Sequence, residues 1–264
     1  MATDGRVPAR VFGEVAKDFD RVRLPYPADL VTDVLGYVRQ GDRRRRALEV
    51  GAGTGKATLA FATRGVSIVA LEPDHAMADV LARHVVDLPG VQIVRSAFEE
   101  YRVEECFGLL YCADAWHWIQ PESRWQLAGQ ALVPGGVLAL FWNHDRIDDT
   151  TRRQAMLDAI TAFAPTLVVR DDPAEHERLF DQWPGNELAE RWEFQGLVGR
   201  IYTTQRTVPG ADYLTYVSTR SQCRMLAQPT RQRLFTALAD VFDDAVTLTI
   251  DTVLYLARRA PVSS

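Results

Sequence analysis

The chain has 264 residues, 47% hydrophobic and 25% charged, with a formal net charge of −5 and a pI near 5.6. That length suffices for one good core, or one core with an inserted cap, and the acidic balance disfavours nucleic acid as a partner. Cys106, Cys112 and Cys223 lack metal-ligand spacing, there is no apolar leader, and no stretch approaches the ~20 apolar residues of a membrane span, so the expectation is a reduced, cytoplasmic protein with no metal and no membrane partner.

In chain order, residues 8–40 read as helical, interrupted near Leu24-Pro25-Tyr26-Pro27. Leu30, Val31, Val34, Leu35 and Val38 keep helical spacing, and Pro27 suits a first turn. The one basic run, Arg43 to Arg46, reads as a solvated lead-in to a buried strand over 47–50. A helix over 56–63, a strand over 66–71 and a helix over 74–86 follow, the last with Met77, Val80, Leu81 and Val85 on one face. Strands over 91–94 and 107–112 come next. A helix over 121–132 stops at Pro134-Gly135-Gly136 before a strand over 137–142. Beyond Asn143 the pattern changes. Helices are expected over 151–162, 173–181, 211–226 and 229–242, and strands over 199–208 and 246–256. The alternation argues for an α/β fold, a doubly wound and mostly parallel sheet with helices on both faces. Right-handed crossovers put the loops after the first four strands along one edge.

The most specific stretch is ALEVGAGTGK at 47–56, followed by VSIVALEPD at 66–74. It reads as strand, glycine turn, helix, strand, carboxylate, the layout of a site for an adenosine-bearing ligand. Dinucleotide folds use G-x-G-x-x-G. Here the pattern is G-x-G-x-G through Gly51, Gly53 and Gly55, and Lys56 stands where the third glycine would be. Glu49, two residues before the first glycine, would repel a pyrophosphate and suits a cationic ligand.

With Glu72 closing the second strand, this arrangement resembles the class I S-adenosylmethionine-dependent methyltransferases. DRVRLPYPADL at 20–30 resembles the Arg-Pro-x-Tyr-Pro stretch of a small-molecule branch of methyltransferase type 11 and trans-aconitate methyltransferase-like enzymes, departing from it at Leu24. ADAWHWI at 113–119 and LVPGGVLALFW at 132–142 resemble segments of the same branch. The match covers about 20–143, with a looser likeness near the C-terminus. It implies a Rossmann-like, mostly parallel seven-stranded sheet with an antiparallel edge strand and a helical lid in the C-terminal half. The expected organisation is a single domain over 1–264, with its core at about 20–143 plus 197–260 and a cap at about 145–196 and 210–245. It also implies S-adenosylmethionine as cofactor, a small-molecule acceptor methylated by in-line displacement, and a monomer or homodimer.

The resemblance and the residues together nominate a site. Glu49 is expected either near the cofactor's amino-acid tail or bonded to amides of the glycine turn. Gly51, Ala52, Gly53 and Gly55 form the cradle, where absent Cβ atoms let backbone approach ligand. Glu72 can accept both ribose hydroxyls. Pro73, Asp74 and Met77 lie along the adenine, and Ser96, Ala97 and Phe98 follow the third strand at its edge, with core packing as the alternative for Phe98. Ala113 and Asp114 follow the fourth strand, where the methyl group belongs. Trp116 and Trp118 can wall a substrate pocket. Between them His117, with an unperturbed pKa of ~6.5, is either a general base or a structural histidine. Tyr26 either reaches over the cofactor or packs a helix. Trp142 and Asn143 end the fifth strand on the same edge, and Tyr216 and Arg220 lie on a helix that can face the site. Arg220 would pair the carboxylate of an organic acid. The tryptophans, Trp183 and Trp192 included, suggest an apolar or planar pocket. The competing readings are a nicotinamide-dependent enzyme, disfavoured by the glycine spacing, a cofactor-binding regulator, and an enzyme catalysing another reaction beside the sulfonium.

Overall fold

The computed structural model describes residues 13–38, 46–169 and 172–261. Part of the stretch expected to be helical over 8–40, and Arg43 to Arg45 of the basic run, lie outside them. After a 3-10 turn at Gly13–Val15 come α1 (Ala16–Val22), α2 (Ala28–Tyr37), β1 (Arg46–Val50), α3 (Lys56–Ala62), β2 (Ser67–Leu71), α4 (His75–His84), β3 (Val91–Val94), β4 (Phe107–Ala113), α5 (Arg124–Ala131) and β5 (Leu132–Ile147). The remainder is α6 (Thr150–Phe163), α7 (Gly185–Ala189), β6 (Phe194–Val208), α8 (Gly210–Ser218), α9 (Ser221–Met225), α10 (Gln228–Val241) and β7 (Val246–Arg259).

The strands form one seven-stranded sheet in the order β3-β2-β1-β4-β5-β7-β6. The pairs β1–β2, β1–β4, β2–β3 and β4–β5 are parallel, so their carboxyl ends share one edge. β7 runs against both its neighbours. Asn143 meets Thr252, Arg146 meets Asp251 and Asp148 meets Thr249 on the β5 side, while Thr203 meets Asp251 and Thr207 meets Thr247 on the β6 side. In each series the numbers rise along one strand and fall along the other, the mark of an antiparallel ladder. The fold is therefore the Rossmann-like mixed sheet that the sequence implies.

The chain divides into two compact units. The sheet unit holds 25–143, 174–202 and 252–264. Its strands alternate between two apolar clusters, as a sheet buried on both faces must. Leu48, Val50, Leu71, Leu110 and Cys112 join Trp125 and Ala128 of α5. Ala47, Ile68, Leu109 and Tyr111 join Leu30 and Val34 of α2, Phe61 of α3 and Leu81 of α4. Asp74 caps α4 by accepting from the amides of Ala76 (2.9 Å) and Met77 (3.1 Å), a bond set worth ~1 kcal/mol. The other unit holds 1–24, 144–173 and 203–251. Its core draws on Met156 and Ile160 of α6, Tyr216 and Val217 of α8 and Leu234 and Leu238 of α10.

Two expected helices differ from what forms. The one expected over 211–226 is broken into α8 and α9 at Arg220, whose extended backbone (ψ 135°) ends one helix and begins the next. The one expected over 173–181 shrinks to a 3-10 turn at His176–Arg178. There the amides of Arg178 and Leu179 donate three residues back, to the carbonyls of Glu175 and His176, and the Leu179 carbonyl accepts from the buried Tyr255 hydroxyl at 3.0 Å. The expected stop at Pro134-Gly135-Gly136 is absorbed into β5, which begins at Leu132.

Candidate active site

The glycine turn crosses the carboxyl end of β2. The amides of Gly51 and Ala52 both donate to the Leu71 carbonyl, at 3.0 and 2.9 Å. Gly51, Gly53 and Gly55 have φ of 72°, 58° and 94°, the left-handed region that glycine enters without strain. Their surroundings differ. A Cβ on Gly51 would stand 2.5 Å from the Ala115 Cβ, and one on Gly55 would stand 2.5 Å from Leu81 Cδ1. A Cβ on Gly53 would meet only Met77 Cε, at 3.7 Å. The Gly51 contact is with the short Ala115 side chain, which has no room to turn away, the Gly55 contact is with the movable end of the Leu81 side chain, and Gly53 is the glycine with space beside it.

Glu72 is locked onto this turn. Its Oε2 accepts from the Gly53 amide and its Oε1 from the Asp74 amide, each at 2.8 Å. Each carboxylate oxygen has a second lone pair for a further donor. The residue is buried. Burial raises its carboxyl, the amides of Asp74 and Gly53 pull it back, and the balance leaves a pKa of about 7.

Glu49 lies deeper, under α3. Its Oε2 accepts from the Thr58 hydroxyl (2.6 Å) and the Tyr111 hydroxyl (2.9 Å), while Oε1 is buried with no hydrogen-bond partner. Loss of solvent dominates here, and the nearby Glu72 charge adds to it, pushing the pKa to about 8. The turn amide that one sequence reading gives to Glu49 goes to Glu72 instead.

The loop after β4 carries strain. Asp114 has φ 53°, alone among the described non-glycine residues in taking a positive φ. Such a conformation costs ~1–3 kcal/mol and clusters at functional sites. Its Oδ2 accepts from the Tyr26 hydroxyl at 3.0 Å, and the Tyr26 ring stands edge-on to Phe141 with centroids 4.8 Å apart. Asn143 donates to the Pro25 carbonyl at 3.3 Å and accepts from Thr252 at 2.6 Å. The Pro25-Tyr26 segment is thereby tied to the ends of β4 and β5.

The next residues form a 3-10 turn, Trp116–Trp118, which fans its side chains apart. Trp116 is wholly buried, packed on Trp125 at 5.2 Å and Phe98 at 6.4 Å. It and Phe98 back the site from the core. His117 is exposed, with its ring 4.5 Å from that of Trp118. Trp142, at the end of the parallel part of β5, stands edge-on to Trp183 at 5.6 Å. Ser96 donates to the Ala97 carbonyl at 2.9 Å, and both residues, with Pro73 and Ala113, are half-buried.

Tyr216 and Arg220 belong to the other unit, where they surround a residue not singled out from sequence. Asp145 accepts from the hydroxyls of Tyr216 (2.6 Å) and Tyr213 (3.2 Å), and Arg220 Nη2 reaches both of its oxygens at 2.8 Å. Burial works to raise the Asp145 carboxyl, but Arg220, the two tyrosines and Arg23 outweigh it and hold it below the usual range. Within this unit Arg220 already has a carboxylate.

Comparison with known proteins bears on the sheet unit. Residues 48–140 match the family model of a methyltransferase domain. An uncharacterized methyltransferase of Mycobacterium tuberculosis (strain ATCC 25618 / H37Rv) is 33% identical over 133 residues, covering 50% of this chain and 51% of that one. An uncharacterized methyltransferase of Schizosaccharomyces pombe is 31% identical, covering 51% and 53%. The chain thus spans about half the length of the curated relatives it matches. In fold it is similar to a structure described as a type II methyltransferase from Anaeromyxobacter dehalogenans, with a TM-score of 0.61, 20% identity and coverage of 91% of this chain and 99% of that one. A phosphoethanolamine N-methyltransferase of Haemonchus contortus, solved with S-adenosylhomocysteine, superposes with a TM-score of 0.53 at 14% identity, covering 97% and 61%.

Proposed function

We propose, from the premise that this chain carries a class I S-adenosylmethionine-dependent methyltransferase domain at residues 48–140, that it transfers a methyl group from S-adenosylmethionine to a small-molecule acceptor. The observation that carries the cofactor is Glu72. Two backbone amides fix its carboxylate at the end of β2 and leave one acceptor position on each oxygen. A vicinal ribose diol supplies two donors for those positions. The residues fit the rest of the cofactor as well. The space beside Gly53 is a cradle that a side chain would fill. The buried Oε1 of Glu49 has no hydrogen-bond partner in the protein, and a ligand ammonium beside it, or a water bridging to one, would favour the ionised carboxylate that burial disfavours.

When bound, the cofactor supplies a methyl carbon activated by a sulfonium. The protein's share is alignment, which can supply ~7–11 kcal/mol of the barrier. Glu72 holds the ribose end, the backbone around Gly53 admits the ligand, and Met77, Ser96 and Ala97 flank the adenine. Asp114 and Tyr26 order the loop after β4, which faces the reacting end in this reading. His117 lies three residues further on, with the acceptor. The trans-aconitate-like branch that residues 20–30 and 113–119 resemble belongs to this proposal only as its finer form.

Native mass spectrometry of the purified protein with added S-adenosylmethionine tests the cofactor. A complex is expected with the wild type, and one at least tenfold weaker in Glu72→Ala. Formation of S-adenosylhomocysteine with a panel of acceptors tests turnover. Binding without turnover on any acceptor would favour the regulator reading.

A further inference from the structure

We propose that Trp183 sets acceptor specificity, and that the corner it forms with Trp142 and His117 takes a flat, uncharged aromatic ring. The proposal rests on the methyltransferase reading above and names the class of its substrate.

The three side chains come from separate parts of the sheet unit. His117 follows β4 and Trp142 lies on β5, adjacent parallel strands whose register pairs Ala113 with Phe141. Trp183 precedes α7. Its ring is edge-on to both of the others, at 66° and 5.6 Å to Trp142 and at 81° and 6.4 Å to His117. Two near-perpendicular contacts on one indole make an L-shaped corner. A flat ring placed there can stack on one wall and offer its edge to another, the two arrangements aromatic pairs favour. Trp142 is nearly buried, Trp183 is half-buried and His117 is exposed, so the corner grades from core to solvent. Strands lie ~4.8 Å apart, so it stands about 5–10 Å along the sheet edge from the glycine turn after β1.

Charge selects among apolar ligands. Aromatic corners also hold quaternary ammonium groups. Here a cation already sits on the indole. The Arg124 guanidinium lies 5.2 Å from the Trp183 ring and is buried. Glu187 fixes it with a bond of 2.6 Å and also accepts from Trp125 Nε1 at 2.9 Å. A cationic ligand would have to compete with this fixed guanidinium for the Trp183 ring, and so gains little of the usual cation–π attraction. A carboxylate gains little, because Glu187 already neutralises Arg124. A neutral planar ring meets neither penalty.

The test is calorimetric titration of 1-naphthol, with tetramethylammonium and cyclohexanecarboxylate as comparison probes, into the protein with and without saturating S-adenosylhomocysteine. Binding of 1-naphthol is expected at least tenfold tighter than of either comparison probe. Trp183→Ala and Trp183→Leu should weaken it at least tenfold while S-adenosylhomocysteine affinity is unchanged, and Trp183→Phe should retain most of it. The leucine and phenylalanine variants decide the matter if the alanine variant fails to fold. Equal naphthol affinity in Trp183→Leu, tighter tetramethylammonium binding, or no naphthol binding overturns the proposal. Failure of S-adenosylhomocysteine to bind overturns the cofactor reading instead, and the titrations without it still decide the corner.

Discussion

The Gly53 amide donates to Glu72 Oε2 at 2.8 Å across a sequence separation of 19 residues. That bond joins the glycine turn after β1 to the carboxylate at the end of β2, the two parts proposed to hold the cofactor. Glu72→Ala is expected to weaken S-adenosylmethionine binding at least tenfold, since hydrogen bonds to a charged acceptor are worth ~1.5–3 kcal/mol each. Circular dichroism should show the fold retained. Unchanged affinity in calorimetry would remove the ribose role.

The same carboxylate should make cofactor binding pH-dependent. Its pKa is about 7 in the free protein, and the ionised form accepts both diol hydrogens. Affinity should therefore fall as pH drops from 8 to 6, and binding near pH 7 should release protons. Glu72→Gln should bind more weakly at pH 8 and lose the slope. A wild-type affinity flat over this range contradicts the assignment.

Gly51 and Gly53 should separate by phenotype. A methyl on Gly51 meets Ala115 at 2.5 Å, whereas one on Gly53 meets only Met77 Cε at 3.7 Å. Gly51→Ala should lower the melting temperature more than Gly53→Ala, which pays mainly for its positive φ, ~1 kcal/mol or more. Gly53→Val should abolish cofactor binding in a folded protein, and Lys56→Ala should leave binding near wild type. Normal binding by a folded Gly53→Val protein would show that the turn is not the cofactor loop.

Much of this arrangement is local in sequence, which is why it was legible. Strand, glycine turn, helix, strand and Glu72 follow one another within 27 residues, 46–72, and each signal is short-range. What stayed hidden depends on distant partners. Asp145 is held by Tyr216 and Arg220, 71 and 75 residues away. No periodicity announces that pairing, so Arg220 reads from sequence as a cation awaiting a substrate. Trp116 and Trp118 look alike in the sequence, and only the 3-10 turn sends Trp116 into the core. The bond from the Tyr255 hydroxyl to the Leu179 carbonyl likewise needs β7 in place.

Glu49 should make the fold less stable as pH rises. Its pKa is about 8 folded against an ordinary 4.5, so between those values the native state binds more protons than the unfolded chain, and unfolding free energy declines with increasing pH. Below about pH 4.5 both states are protonated and the effect vanishes. Glu49→Gln removes the titration while keeping an acceptor for Thr58 and Tyr111. Its melting temperature relative to wild type should rise between pH 5 and pH 8. A constant difference across that range would mean that Glu49 is solvated in the folded protein.

His117 is expected to tune turnover without being indispensable. It is exposed, with its ring against Trp118 at 4.5 Å and edge-on to Trp183 at 6.4 Å. Those contacts make it part of an aromatic wall, and a wall residue acts on acceptor placement. A general base would instead contribute ~10²–10⁴-fold to turnover and leave an ionisation near neutral pH in the rate profile. His117→Asn should therefore raise KM for the acceptor several-fold, lower kcat less than a hundredfold, leave S-adenosylmethionine affinity unchanged and keep the shape of the pH profile. His117→Phe, which restores a ring but no proton acceptor, should recover much of the acceptor affinity. A thousandfold loss of kcat in both variants, with the neutral-pH ionisation gone, would instead assign His117 the proton of the acceptor.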